Sequence, residues 1–216
     1  MHRRNMLFFS HAPGSYYAMN CGAKTSRDPD KKTVFISCGI FRAEIEYLRQ
    51  NRQFNGEIEF LDTALHVNFD RLRTALEKAL EKAKAAGVVP KVLYGYCHPE
   101  MAAILEPYGA NKICAGNCLE AIVGKEEIER LDAEARTFFL TAGWVNNIER
   151  IFALGRKDFG FDFSSMFQSY RRIIVFETGV IPIDEEKVAA FSRLTGLPVE
   201  RMEVGFDRLL RLISEL

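Results

Sequence analysis

The sequence predicts an α/β domain of Rossmann-like type, a mostly parallel sheet with helices on both faces. Two observations carry this. Short β-branched and aromatic runs alternate along the chain with segments whose apolar residues recur at helical period. Turn residues, often glycine, separate them, which is the pattern of strand–helix–strand crossovers. A third observation concerns extent: 216 residues with 48% apolar and 27% charged side chains suit one packed domain.

Residues 1–32 lack clear periodicity and end in the polar SRDPDKK, so they read as an N-terminal arm before a domain spanning 33–216. TVFIS, 33–37, reads as the first strand and runs into Cys38-Gly39; FRAEIEYLRQ follows at helical spacing. EIEFLD, 57–62, is the second strand. It leads through Leu65-His66 into a long helix from about Asp70 to Ala86, which Gly87 ends. KVLYGY, 91–96, is the third strand and meets Cys97-His98-Pro99, with a short helix over 99–106. Lys112 to Ala115 is a short fourth strand, with Cys114 inside it as a core residue. Gly116-Asn117-Cys118 is then a turn, LEAIVG starts a helix, and EEIERLDAEA is a solvated one. RTFFLTAGW, 136–144, and RRIIVFETG, 171–179, are the fifth and sixth strands, flanking an aromatic-rich helical stretch at 145–170. DEEKVAAFSRLTG is a helix closed by Gly196, VERMEVG an edge strand, and FDRLLRLISEL a final helix.

Composition excludes several function classes. Lys+Arg and Asp+Glu are equal at 29 each, without the basic excess or stripe that grips nucleic acid. No apolar run approaches the roughly 20 residues that span a bilayer. The apolar stretch from Met6 to Ser10 is too short for an export signal, so a cytoplasmic protein is expected. The odd count of five cysteines points away from a disulfide framework and toward a reducing compartment. No G-x-G-x-x-G, Walker A or G-x-S-x-G pattern is present.

Three cysteines occupy equivalent places. Cys38, Cys97 and Cys118 each stand where a strand gives way to a helix. In a parallel sheet such ends converge on one rim, the usual place for a site in this fold. Thiolates there bind zinc or an iron–sulfur cluster, and a helix start favours the thiolate. A lone cysteine in an α/β core is more often a small packing residue; the shared position of three shifts the balance. His66 or His98 can complete the set, since each lies beyond a strand. Glu44 and Glu120 sit on the first turns after Cys38 and Cys118, where negative charge at a helix start already explains them. Gly95, Gly116 and Gly143 stand where backbone turns sharply or nears a ligand, and Trp144 is either a core plug or a pocket wall. Cys21, in the arm, has no assigned part.

The ordered segments ISCGIFRAEI, ALHVNFDRLRTAL, LYGYC, NCLEAIVG and FFLTAGW resemble those of the family grouped as domain of unknown function 1638, from about residue 33 to 210. The family has Cys-Gly where this chain has Cys97-His98, Asp at Asn117, and proline at Phe69. The resemblance favours His66 over His98 as the fourth ligand, and it draws Glu44, Thr141, Gly143 and Trp144 toward an adjacent cofactor pocket. It implies no established activity. It does imply an association with corrinoid-dependent methyltransferase systems, and with them a corrinoid protein or methyltransferase as partner. The first expectation is therefore a zinc or iron–sulfur protein accessory to corrinoid-linked one-carbon metabolism. The others are a metal-dependent lyase or sulfur-transfer enzyme with an open metal position, and a non-catalytic binding module, dimeric or partner-bound, whose cysteines are core thiols.

Overall fold

The computed structural model describes residues 32–159 and 166–216, with the side chains of 155–159 set aside. The arm over 1–31 and the aromatics at 159, 161 and 163 thus lie outside the described side chains. The first half runs β1 (Thr33–Cys38), α1 (Arg42–Gln50), β2 (Glu57–Leu61), α2 (Phe69–Ala85), β3 (Val89–Leu93), α3 (Met101–Leu105) and β4 (Asn111–Lys112). The second runs α4 (Cys118–Ile122), α5 (Lys125–Glu134), β5 (Thr137–Thr141), α6 (Ala142–Phe159), β6 (Arg172–Glu177), α7 (Glu185–Thr195), β7 (Val199–Glu203) and α8 (Asp207–Glu215).

Every described strand pairing is parallel, and the fold is Rossmann-like α/β with flanking helices. The expectation of one sheet is corrected. The ladders form two sheets, β2-β1-β3-β4 and β5-β6-β7. The division falls at β4, which is two residues long and pairs with β3 only through Asn111 and Lys112. The chain then bends away, leaving no ladder for a following strand to extend.

Local sequence accounts for the elements. Asn68 caps α2 by accepting from the Arg71 N–H, and Leu72, Leu76, Ala79, Leu80 and Ala83 form its buried stripe. Gly87 beyond it takes a left-handed φ of 67°. Asp184 caps α7 in the same way. The three-stranded sheet is buried on both faces. Phe138, Leu140, Ile173 and Val175 face the main core, while Phe139, Ile174 and Phe176 join Leu119, Ile128 and Leu131 from α4 and α5. Alternate residues thus serve two cores, which is why TFFLT and RIIVF read as unbroken apolar runs. Phe152, Phe167 and Tyr170 belong to the main core. Among the described residues no helix is long and apolar enough to cross a membrane.

Candidate metal centre

The sheet order β2-β1-β3-β4 sets the candidate ligands in a row: His66 beyond β2, Cys38 ending β1, Cys97 beyond β3, and Cys118 opening α4 beyond β4. Strands about 4.8 Å apart would leave the ends of such a row well separated. Close backbone contacts fold it inward. A Cβ on Gly95 would lie 2.4 Å from the Gly116 carbonyl oxygen, and the Tyr96 N–H donates to that oxygen at 2.7 Å. The missing Cβ of Gly95 allows the Cys97 and Cys118 loops this approach, while a Cβ on Gly116 would meet the Glu120 carboxylate at 2.6 Å. A Cβ on Gly143 would likewise meet the Ile40 carbonyl at 2.7 Å, so the start of α6 rests on the turn after Cys38.

Trp144, on that first turn of α6, closes the row. It is 1% exposed; its Nε1–H donates to Cys118 Sγ at 3.4 Å, and its ring centroid lies 4.9 Å from that of His66. One side chain therefore touches both ends. The Thr141 hydroxyl accepts from the Trp144 backbone N–H at 3.4 Å, which makes Thr141 a positioning group for the indole. The loops leaving the carboxyl ends of the two sheets meet here, and the Thr178 hydroxyl beyond β6 donates to Glu44 Oε1 in α1 at 3.0 Å.

The three thiols act on one another. Burial pushes the Cys38 thiol far above its ordinary range, and negative charge on Cys118 and Cys97 pushes it further. Burial, then Cys118, raises Cys97 to about 12, against the Gly95 backbone N–H and the Lys112 cation. Cys118 is raised by burial while the Trp144 indole N–H opposes. As free thiols all three hold their protons at neutral pH, and a cation among them would turn their mutual repulsion into attraction. His66 Nδ1 lies 2.8 Å from the Thr63 carbonyl; as donor there it makes Nε2 the ring's acceptor, the nitrogen a metal takes. Burial holds its pKa down to about 4, so the ring is neutral. Among the described residues, no group of three His, Cys, Asp or Glu side chains is placed to hold a metal ion.

A scan against family models matched residues 60–213 to the family described as protein of unknown function (DUF1638). The chain belongs to the DUF1638 family. The matched span holds His66, Cys97, Cys118 and Trp144, and begins after Cys38 and Glu44. Searches of curated proteins and of solved structures each found no match.

Two cysteine or histidine positions in this DUF1638 chain turn out away from the centre. His98 Nδ1 accepts from the Glu100 N–H at 2.9 Å, and its ring packs on Phe69, so it organises its own loop. Cys114, expected in a strand and in the core, lies exposed in the bend beyond β4 and is disulfide-bonded. That corrects the inference from the odd cysteine count. Cys21 is outside the described residues. Glu120 has the structural part expected of it, its Oε2 accepting from the Gly116 N–H at 2.8 Å.

Two side chains that the sequence reading passed over stand at the thiols. Tyr94 is 2% exposed, and its hydroxyl lies in the field of Cys38 and Cys97. Lys112 is buried with Nζ 3.5 Å from the Tyr96 ring centroid, donates to the Ile113 carbonyl, and is held down to about 8 by burial while Cys97 favours its charge. A lysine opening an otherwise apolar strand was the available signal for Lys112. Tyr94 carried none, since an aromatic at a strand end reads as packing.

Glu44 is 1% exposed, and burial holds its carboxyl above the usual range against its own backbone N–H and the Thr178 hydroxyl. A raised acid stabilises the fold below the unfolded pKa of 4.5, and that contribution is lost as pH rises through the folded value. Glu44→Gln should therefore match the parent in thermal melts near pH 4 and exceed it by a few degrees near pH 8. A lower Tm at pH 8 would mean that the carboxylate is stabilised by a counter-charge.

Proposed function

We propose that the protein holds an iron–sulfur cluster through Cys38, Cys97 and Cys118, with His66 as candidate fourth ligand. The observation that carries this is the placement of three free thiols, one buried and two half-buried, at or beyond the ends of three neighbouring strands. Soft donors in a largely buried, partly apolar setting fit such a cluster. Zinc is the alternative ion. A tetrahedral zinc site with Zn–S near 2.3 Å needs sulfurs roughly 3.8 Å apart, whereas each thiolate of a cluster binds its own iron. Three protein thiolates leave one iron able to bind a substrate atom or relay electrons.

The chain's own residues would serve that group in distinct ways. Trp144 donates to the Cys118 sulfur, which stabilises a thiolate there. Lys112 supplies positive charge beside Cys97. Thr141 and Gly143 hold the indole in place.

For setting, we read an accessory of corrinoid-linked methyl transfer in the cytoplasm, with a corrinoid protein or methyltransferase as partner. The family association supports this. Its test is electron transfer from the reduced, cluster-loaded protein to a corrinoid protein's oxidised cobalt. Cobalt reduction is expected; neither reduction nor complex formation would contradict the role. A lyase with an open metal position is the second reading, favoured by the buried carboxyl of Glu44 near Cys118. Loading is tested separately, by anaerobic incubation with ferrous iron and sulfide or with zinc alone. Brown, near-stoichiometric uptake of iron is expected; uptake of zinc only would sink the cluster assignment.

A further inference from the structure

Cys114 is exposed and disulfide-bonded, while Cys38, Cys97 and Cys118 are free thiols. It stands in the bend over 113–117, between Lys112 at the end of β4 and Cys118 at the start of α4. The bend belongs to no helix or strand and is held on either side of Cys114. Before it, the Ile113 N–H donates to the Val92 carbonyl at 3.0 Å, and the Lys112 ammonium donates to the Ile113 carbonyl at 3.2 Å. After it, the Gly116 carbonyl accepts from the Tyr96 N–H at 2.7 Å, the Gly116 N–H donates to Glu120 Oε2 at 2.8 Å, and Asn117 caps α4. The covalent bond at Cys114 is a third anchor, set between these two. Both ends of the bend act on the row of thiols: Lys112 brings its charge to Cys97, and Cys118 is itself a member of the row. Exposed disulfides are the ones open to exchange with other thiols, and those of cytosolic proteins are commonly redox-sensing.

We propose that the Cys114 disulfide is a redox switch on the bend that presents Cys118. Closed, it fixes the bend against the Cys97 loop. Opened by a dithiol, it lets the bend loosen, and the centre gives up its metal more readily. One thiolate of the dithiol attacks the exposed Cys114 sulfur; the S–S bond breaks and the departing sulfur takes up a proton. The second thiolate then attacks the mixed disulfide, which leaves Cys114 as a protonated thiol and the reductant as a cyclic disulfide. Two electrons and two protons thus pass to the protein, and a small oxidant disulfide of the glutathione class reverses the step. The inference rests on the metal-centre reading for what the loosened bend releases; the movement of Cys118 stands apart from it.

The test uses the full chain, metal-free and purified without reductant. Peptide mapping under non-reducing conditions should find Cys114 in a disulfide, and dithiothreitol, removed afterwards under argon, should open it without changing the far-UV circular dichroism. Alkylation by iodoacetamide, read residue by residue by mass spectrometry, should then run roughly fivefold faster at Cys118, because local opening exposes it more often. The rate at Cys38, which lies within β1, should not change. Cys114→Ser should show the fast Cys118 rate whether or not the dithiol is added. Loaded with iron and sulfide, Cys114→Ser should also lose metal to a chelator faster than the parent does. A free Cys114 thiol even after oxidised glutathione, a Cys118 rate indifferent to reduction and to Cys114→Ser, or an equal rise at Cys38 would each overturn the proposal. Faster alkylation at Cys118 on reduction, in a protein that takes up no metal, would sink the metal reading alone. Normal metal uptake with a Cys118 rate indifferent to reduction would sink this one alone.

Discussion

Cys97→Ser is expected to abolish stable metal binding while leaving a folded protein. The change removes a thiolate from the middle of the row, between the strands that carry Cys38 and Cys118. Altering a group that merely orients a ligand costs roughly 10–100-fold in affinity; losing the ligand itself should exceed that. Metal per chain after gel filtration, by elemental analysis, is the readout, and far-UV circular dichroism confirms folding. A serine hydroxyl in a half-buried position costs about 1–3 kcal/mol when it finds no partner. A lower Tm with unchanged metal would make Cys97 a packing residue, which is what the binding-module reading requires.

Among the described glycines, Gly95→Ala is expected to be the most damaging substitution by alanine. Its Cβ would stand 2.4 Å from one carbonyl oxygen of the neighbouring loop and 2.7 Å from another, both backbone atoms that cannot swing aside. Relief means separating the Cys97 loop from the Cys118 loop. Overpacking of this kind costs about 1–3 kcal/mol, which for a domain of this size is a fall in Tm of roughly 2–12 °C. Metal uptake should fall with it. As a control, Gly109→Ala meets no atom within 4 Å; its cost comes from the left-handed φ of 58°, and its metal uptake should be normal. Equal metal uptake in Gly95→Ala and Gly109→Ala would show that the loop contact does not shape the centre.

The equivalence of Cys38, Cys97 and Cys118 was legible because a strand's end is a local property, written in the β-branched run before it and the helical spacing after it. Their convergence was only half legible. It depends on strand order, and on the approach of Gly95 to Gly116, which are far-apart contacts that no local pattern encodes. The split into two sheets was hidden for a related reason. LysIleCysAla at 112–115 has strand-like composition, yet only Asn111 and Lys112 find ladder partners, because the chain turns to bring Cys118 back. Cys114 was misplaced by the same strand assignment. Tyr94, Lys112 and Thr178 escaped notice because each matters through what it meets from another segment, Tyr94 and Lys112 through the thiols beside them and Thr178 through Glu44, and a single strand's pattern records only which side a residue takes.

Metal analysis with a visible absorption spectrum, on protein purified without oxygen, tests the central claim most directly. The account predicts near-stoichiometric iron and sulfide with a broad brown absorption that Cys38→Ser, Cys97→Ser and Cys118→Ser each remove. Colourless protein holding neither iron nor zinc, and unchanged in stability by chelators, would contradict it and leave the three thiols as packing residues.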